Sequence, residues 1–192
     1  MQSQQTFTLK NYLFEEGQNI DLYKRALQEI GCESAYYAYE LLNSGQNDQQ
    51  RLHFFIFETP EKELLAVMPF VLRNIVLNNN ETGFYDVSSP WGYNGPFFKE
   101  GLAEDVILNF WELVDNWYKE NKVVSEFLRF NFFENYKNYS GEALHTLYNV
   151  KGDITNWDLF WSNLKSNTRN QFRKAEKIGL EFQFFYKDIT EK

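Results

Sequence analysis

Lys165, Arg169, Arg173 and Lys177 recur at every fourth position of LKSNTRNQFRKAEK (164–177), with Lys174 beside them. Side chains four apart share one face of a helix, so a helix here carries a positive stripe. The forked guanidinium groups of Arg169 and Arg173 suit phosphate oxygens, which they grip through paired hydrogen bonds. The chemistry on offer is anion binding, to a pyrophosphate or a nucleic-acid backbone. A solvated helix face whose late cations complement the C-terminal dipole accounts for the same pattern.

A second cluster is YDVSSPWGYNGPFF at 85–98. Pro90, Gly92, Gly95 and Pro96 are turn formers that can simply reverse the chain. Gly92 and Gly95 also let a ligand approach the backbone. Trp91, Tyr93 and Asn94 supply ring faces and an amide for stacking and hydrogen bonding. Arg129 lies within the apolar stretch LRF, where a cation needs a partner or a cavity. Glu126 has the wrong strand parity for that partner, and Asp86 is the candidate. His53, in an apolar run, reads as a satisfied core histidine. His145 has no evident partner, and Cys32 follows a glycine without a Cys–His pairing. The sequence has no glycine-rich phosphate loop, serine elbow or metal-ligand spacing, so no catalytic residue and no metal ligand is assigned.

The elements that must hold these residues can be placed by periodicity. Ile20, Tyr23, Leu27 and Ile30 have helical spacing before Gly31. Residues 34–42 suit a second short helix, and 43–50 a polar loop. RLHFFIFE (51–58) and ELLAVMPFVL (63–72) predict paired strands around a turn at 59–62. Their nearly unbroken apolar character predicts burial on both faces. Residues 83–89 suit a strand that runs into the aromatic loop. Leu102, Val106, Phe110, Leu113 and Trp117 mark an amphipathic helix over 102–118. Residues 123–133 suit a strand, and 134–145 a loop with a short helix. Residues 155–178 suit one long helix, with Thr155 and Asp158 as a capping box and Gly179 as its stop. LEFQFFY (180–186) suits a final strand. This order predicts an α+β (mixed α/β) domain with helices covering a buried sheet.

Composition fits that reading. Of the 192 residues, 43 % are hydrophobic and 19 % aromatic, enough to fill a core and to line a pocket. The net charge of −8 makes the whole chain a poor nucleic-acid binder. Residues 1–150 carry 11 Lys/Arg against 21 Asp/Glu, a net of −10, while residues 151–192 carry 8 against 6, a net of +2. Anion binding therefore belongs to the last quarter. One cysteine and no signal-like leader predict a cytoplasmic protein with no disulfide. The longest apolar run is too short to span a bilayer, which leaves room for a peripheral membrane contact.

Three segments, in this order, resemble the FemAB-type acyltransferases, a tandem branch of the GNAT superfamily. SPWGYNGPFF (89–98) resembles the family's P-Y-G-Y-G-G-P signature, with Trp91 in place of tyrosine and Asn94 in place of glycine. VSEFLRFNFF (124–133) is similar to the strand that follows, with Phe132 where proline is usual. SNTRNQFRKAEKIGLEF (166–182) resembles the R-x-x-I-R-K-A-x-K-x-G-V helix end, with Phe172 at the aliphatic position.

The resemblance implies a GNAT-like central sheet with helices on both faces. Residues 1–192 would then form a single domain, the N-terminal, acceptor-side half of a tandem-domain protein. It implies transfer of an acyl or aminoacyl group to a cell-envelope or polysaccharide precursor. Acyl-CoA or aminoacyl-tRNA would be the co-substrate, with no tightly bound cofactor. The implied partners are a small-molecule or glycan-precursor acceptor, tRNA as donor carrier, and a second half-domain or dimer mate; DNA is not among them. Trp91, Tyr93 and Asn94 would form one wall of the acceptor pocket. Arg129, Arg169 and Arg173 would meet acceptor phosphate. The general base would lie elsewhere. The competing expectation is a binding or assembly module that keeps the fold without activity.

Overall fold

The structure, a computed structural model, describes residues 7–15, 17–45, 50–132, 134–146, 148 and 152–180. The chain forms two compact units, Met1–Leu144 and His145–Lys192.

The first unit is a mixed sheet flanked by helices. In chain order it has β1 (Thr8–Leu13), α1 (Gly17–Glu29), a 3-10 turn (Ala35–Tyr37) and α2 (Tyr39–Ser44). Then come β2 (Gln50–Glu58), β3 (Leu64–Leu77), β4 (Asn80–Ser88), β5 (Phe97–Phe98), α3 (Glu104–Glu120) and β6 (Val123–Phe127). The strands lie in the order β1-β2-β3-β4-β6, with β5 also on β3. All pairs are antiparallel except β4 with β6, which is parallel across the α3 crossover.

The alternation of side chains along β2 and β3 explains why both runs are apolar. Leu52, Phe54, Ile56, Val67 and Val71 pack under α1 and α2, against Tyr23, Leu27, Tyr37 and Leu42. Phe55, Phe57, Met68 and Phe70 face the other way, against Phe110, Trp111, Val114 and Tyr118 of α3. Helices therefore cover both faces. The buried stripe of α3 is broader than the spacing of Phe110 and Trp117 suggests, because Trp111 and Tyr118 are buried too. Glu104 and Asp105 in its first turn and Lys119 in its last complement the helix dipole.

The β2–β3 turn closes as the sequence predicts: Thr59 N donates to Glu63 O at 3.0 Å and Lys62 N to Thr59 O at 2.9 Å. The β3–β4 hairpin was not foreseen. Its turn residues Asn78 and Asn79 have φ of 52° and 64°, the left-handed pair a two-residue hairpin turn requires. β6 is shorter than the expected 123–133; among the described residues beyond Phe127, an isolated bridge from Phe130 to Asn94 continues it.

In the second unit the expected single helix over 155–178 is two helices, α4 (Trp157–Asn163) and α5 (Ser166–Lys177). Leu164 and Lys165 are extended between them, with ψ of 143° and 144°. Unbroken apolar spacing does not report a local interruption. Here Arg169 Nη1 reaches back to the carbonyls of Ser162 at 2.9 Å and Leu164 at 2.5 Å, satisfying groups that helix continuation would otherwise bond. The cap also differs from the expected box. Asn156 Oδ1 accepts from Leu159 N at 3.0 Å, while Thr155 binds Asp153. The strand expected at 180–186 lies outside the described residues apart from Leu180.

Candidate functional site

Residues 89–96 leave the sheet through a gap in its ladder. β4 pairs with β3 from Val71 onward and β5 pairs with Ala66 and Val67. Residues 68–70 of β3 pair with β2 on one side and with neither β4 nor β5 on the other. Pro69 lies in this gap, where a strand interior tolerates a residue with no N–H. The excursion crosses to the C-terminal end of the parallel β4–β6 pair. Ser89 N donates to Phe127 O at 3.0 Å, Arg129 N to Ser89 Oγ at 2.8 Å, and Asn94 N to Arg129 O at 2.9 Å.

The loop is held from beneath by Asn135, which is buried. Its Nδ2 donates to Asn94 O and to Pro96 O, both at 2.7 Å, and its Oδ1 accepts from Asn131 N at 2.8 Å. Asn131 in turn donates to the Tyr37 hydroxyl at 3.2 Å. The glycines permit close packing. A Cβ on Gly92, at φ +99°, would stand 2.3 Å from Tyr36 Cδ1, and one on Gly95 3.2 Å from Phe130 Cδ1. Both glycines thus serve contacts within the fold, which the sequence could not distinguish from ligand approach.

On this frame Trp91 is 60 % exposed and Tyr93 37 %. Tyr93 packs edge-on to Tyr36 at 5.7 Å and tilts against Phe132 at 4.6 Å. Tyr93 and Phe132 therefore form an exposed ring pair, and Trp91 is exposed on the same loop. Asn94 stands apart from them, because it is wholly buried. Its Oδ1 accepts from Gly95 N at 3.0 Å and its Nδ2 reaches Trp91 O at 3.4 Å. Its amide builds the loop and is not offered to a ligand.

Arg129 is not the buried strand cation that its neighbours suggest. It follows the end of β6, is exposed, and lies with Cζ 5.9 Å from the centre of the Phe127 ring. Asp86 is taken by Arg73 through two bonds of 2.7 and 2.9 Å. The structure brings Arg129 to the same strand end as Trp91 and Tyr93, through the Ser89 and Asn94 contacts.

In the second unit, Arg169 caps α4 and is largely committed to backbone carbonyls. Arg173 lies 5.9 Å over the Trp161 ring and reaches Asn170 Oδ1 at 3.5 Å. Neither guanidinium pairs with a carboxylate among the described residues.

A second polar cluster escaped the sequence reading. Glu126 on β6 accepts from the Tyr118 hydroxyl at 2.8 Å and the Tyr139 hydroxyl at 2.6 Å. Burial raises its carboxyl above the ordinary 4.5, against the lowering effect of both hydroxyls. Burial raises the Tyr118 and Tyr139 phenols, with Glu126 adding to each. Nothing in the spacing of these three residues announces their meeting. His53 is buried, with Nδ1 3.1 Å from Asn11 Oδ1 and Nε2 without a partner among the described residues. It is thus a core histidine, only half satisfied. Burial, helped by Arg51, lowers its pKa to about 4.

No protein-family model matches the sequence, and no curated protein matches it. Several solved structures are similar in shape. An aminoglycoside antibiotic 6'-N-acetyltransferase from Acinetobacter baumannii is 10 % identical, with a TM-score of 0.39, over 77 % of this chain and 99 % of that one. A ribosomal-protein-alanine N-acetyltransferase from Brucella melitensis is also 10 % identical, at 0.37, over 77 % of this chain and 100 % of that one. A possible acetyltransferase from Clostridium difficile is 11 % identical, at 0.36, over 76 % of this chain and 99 % of that one. TM-scores below 0.5 carry no functional assignment.

Proposed function

We propose that this chain is the acceptor-side part of an acyl- or aminoacyltransferase of the FemAB-type, GNAT-like class, acting on a cell-envelope or polysaccharide precursor. The observation that carries the reading is the loop at 89–96. It holds Trp91 and Tyr93 open to solvent, on a glycine-tight and asparagine-bonded frame, at the C-terminal end of a parallel strand pair. Crevices at such strand ends are where layered α/β sheets bind ligands. The three sequence segments that resemble the family point the same way.

In this reading the exposed rings stack on an apolar or cyclic part of the acceptor, and Arg129 meets its phosphate. Attack by an acceptor amine or hydroxyl on a thioester or ester is promoted by fixing the two groups together. Acyl-CoA or aminoacyl-tRNA supplies the acyl group. The part of this chain is to bind and orient the acceptor.

A binding module without activity is the second reading. It draws on the side chains assigned to the candidate site: Trp91 and Tyr93 offer rings and Arg129 a guanidinium, none of which takes up a proton near neutral pH.

Titration of the full chain with a UDP-sugar, followed by tryptophan fluorescence and calorimetry, tests the acceptor site. Trp91→Ala and Tyr93→Ala should each weaken binding about tenfold, the loss of one stacking contact. Absence of saturable binding to nucleotide-sugars and sugar acceptors alike would reject the acceptor role. Binding with no acyl transfer from any acyl-CoA or aminoacyl-tRNA, even with the complete native protein, would favour the module.

A further inference from the structure

The described part of the second unit exposes apolar side chains on both of its helices. No described residue of α4 or α5 is buried. Trp157 is 55 % exposed, Leu159 59 % and Phe172 43 %, and Ile154, Ile178 and Leu180 are exposed as well. The rings are ordered against one another. Trp157 meets Phe160 at 5.5 Å and Trp161 at 5.9 Å, and Phe172 of α5 meets Trp161 edge-on at 5.1 Å.

Charge is arranged around this apolar face. On α5 the helical spacing puts Arg173, Lys174 and Lys177 along one arc, bordered by Glu176, with Phe172, Ala175 and Ile178 on the other. Arg169 belongs to the basic arc by spacing but is engaged with α4 carbonyls. Arg173 lies over Trp161, so cation and indole share one edge of the surface.

We propose that α4 and α5 form a peripheral membrane-binding surface whose partner is an anionic lipid bilayer. The rings and aliphatic side chains enter the boundary between headgroups and acyl chains. Arg173, Lys174 and Lys177 meet the lipid phosphates.

Charge complementarity selects this occupant. Residues 151–192 carry a net of +2 and residues 1–150 a net of −10. An anionic surface attracts the first and repels the second. Indoles, aliphatic side chains and long lysines on short amphipathic helices are the mixture that a bilayer interface solvates. A nucleic-acid backbone would use the cations but leave Leu159, Ile178 and Leu180 in water. No described helix is long and apolar enough to cross a membrane, so the contact is at the surface. The inference stands apart from the acyl-transfer reading, since it uses none of the residues around the 89–96 loop.

The test is co-sedimentation of the full chain with vesicles of phosphatidylcholine alone and with vesicles containing phosphatidylglycerol. The chain should sediment with the anionic vesicles only, and added salt should release it. Removing two cations in Lys174→Gln/Lys177→Gln should weaken binding about 30-fold, since each basic residue near the surface contributes about 1 kcal/mol. Trp157→Ser/Leu159→Ser should weaken it about tenfold or more while leaving the circular dichroism spectrum unchanged. No sedimentation at low salt, or equal sedimentation with both vesicles, would overturn the proposal. Salt-sensitive binding to poly(U) RNA without vesicle binding would overturn it in favour of nucleic acid. Self-association lost in the lysine variant, again without vesicle binding, would overturn it in favour of a second copy of this chain.

Discussion

Single residues decide whether the aromatic loop exists. Gly92 holds φ +99° and leaves no room for a Cβ beside Tyr36. Gly92→Ala should cost about 1–3 kcal/mol through backbone strain and a displaced tyrosine ring. Urea unfolding would read the loss, and the mutant should also bind acceptor more weakly because Tyr93 loses its Tyr36 support. An unchanged urea midpoint would show that the loop relaxes freely.

His53 permits a prediction with a definite sign. Its folded pKa is depressed from 6.5 to about 4 by burial. The imidazole therefore stays neutral in the folded chain where the unfolded chain has begun to charge. That contribution is fully present above about pH 6.5 and is lost as pH falls toward about 4, amounting to about 3 kcal/mol. His53→Gln should flatten the fall of stability across that window; parallel profiles for the two proteins would refute it.

Elements set the scale at which Glu126 acts. Tyr118 belongs to α3, Glu126 to β6 and Tyr139 to the turns that follow, so one carboxyl ties three segments together. Its folded pKa is raised by burial. The stability linked to its proton is therefore complete below about pH 4.5 and declines as pH rises through the raised folded value. Glu126→Gln, which keeps an acceptor and cannot ionise, should remove that decline. Thermal unfolding of both proteins across the acid range would show it as converging rather than parallel curves. The fold was most legible at this scale. β2 and the first part of β3 follow from unbroken apolar runs that bury both faces, and α3 from its apolar period. The β3–β4 hairpin and the α4–α5 break do not, since a pair of left-handed asparagines and one back-reaching arginine decide them.

The whole molecule divides unevenly between its two units. Among the described residues the buried apolar ones, from Phe14 to Tyr118, all lie in the first, and α4 and α5 contribute none. A chain ending at Leu144 should therefore keep a cooperative thermal transition, with a midpoint within about 4 °C of the full chain. A broad, non-cooperative melt would show that the second unit supplies stability to the first. Charge divides along a similar line, with residues 1–150 at a net of −10 and residues 151–192 at +2.

The site was only partly legible. Trp91 and Tyr93 could be singled out because turn formers bracket large rings, and exposed rings need a reason. Asn94 looked like a third member, yet an amide in a tight loop bonds its own backbone. Arg129 looked buried because its neighbours are apolar, yet β6 ends before it and turns it to solvent. The sequence by itself determined the class of fold, the two-faced sheet and the positive charge of the last quarter, because periodicity and charge are properties of the chain read in order. Only the tertiary structure decided that Gly92 and Gly95 serve internal packing, that Arg169 caps a helix and that Glu126 meets two tyrosines. Those contacts join residues far apart in the chain or on opposite sides of a helix break, and no local pattern encodes which distant group will satisfy a polar atom once it is buried.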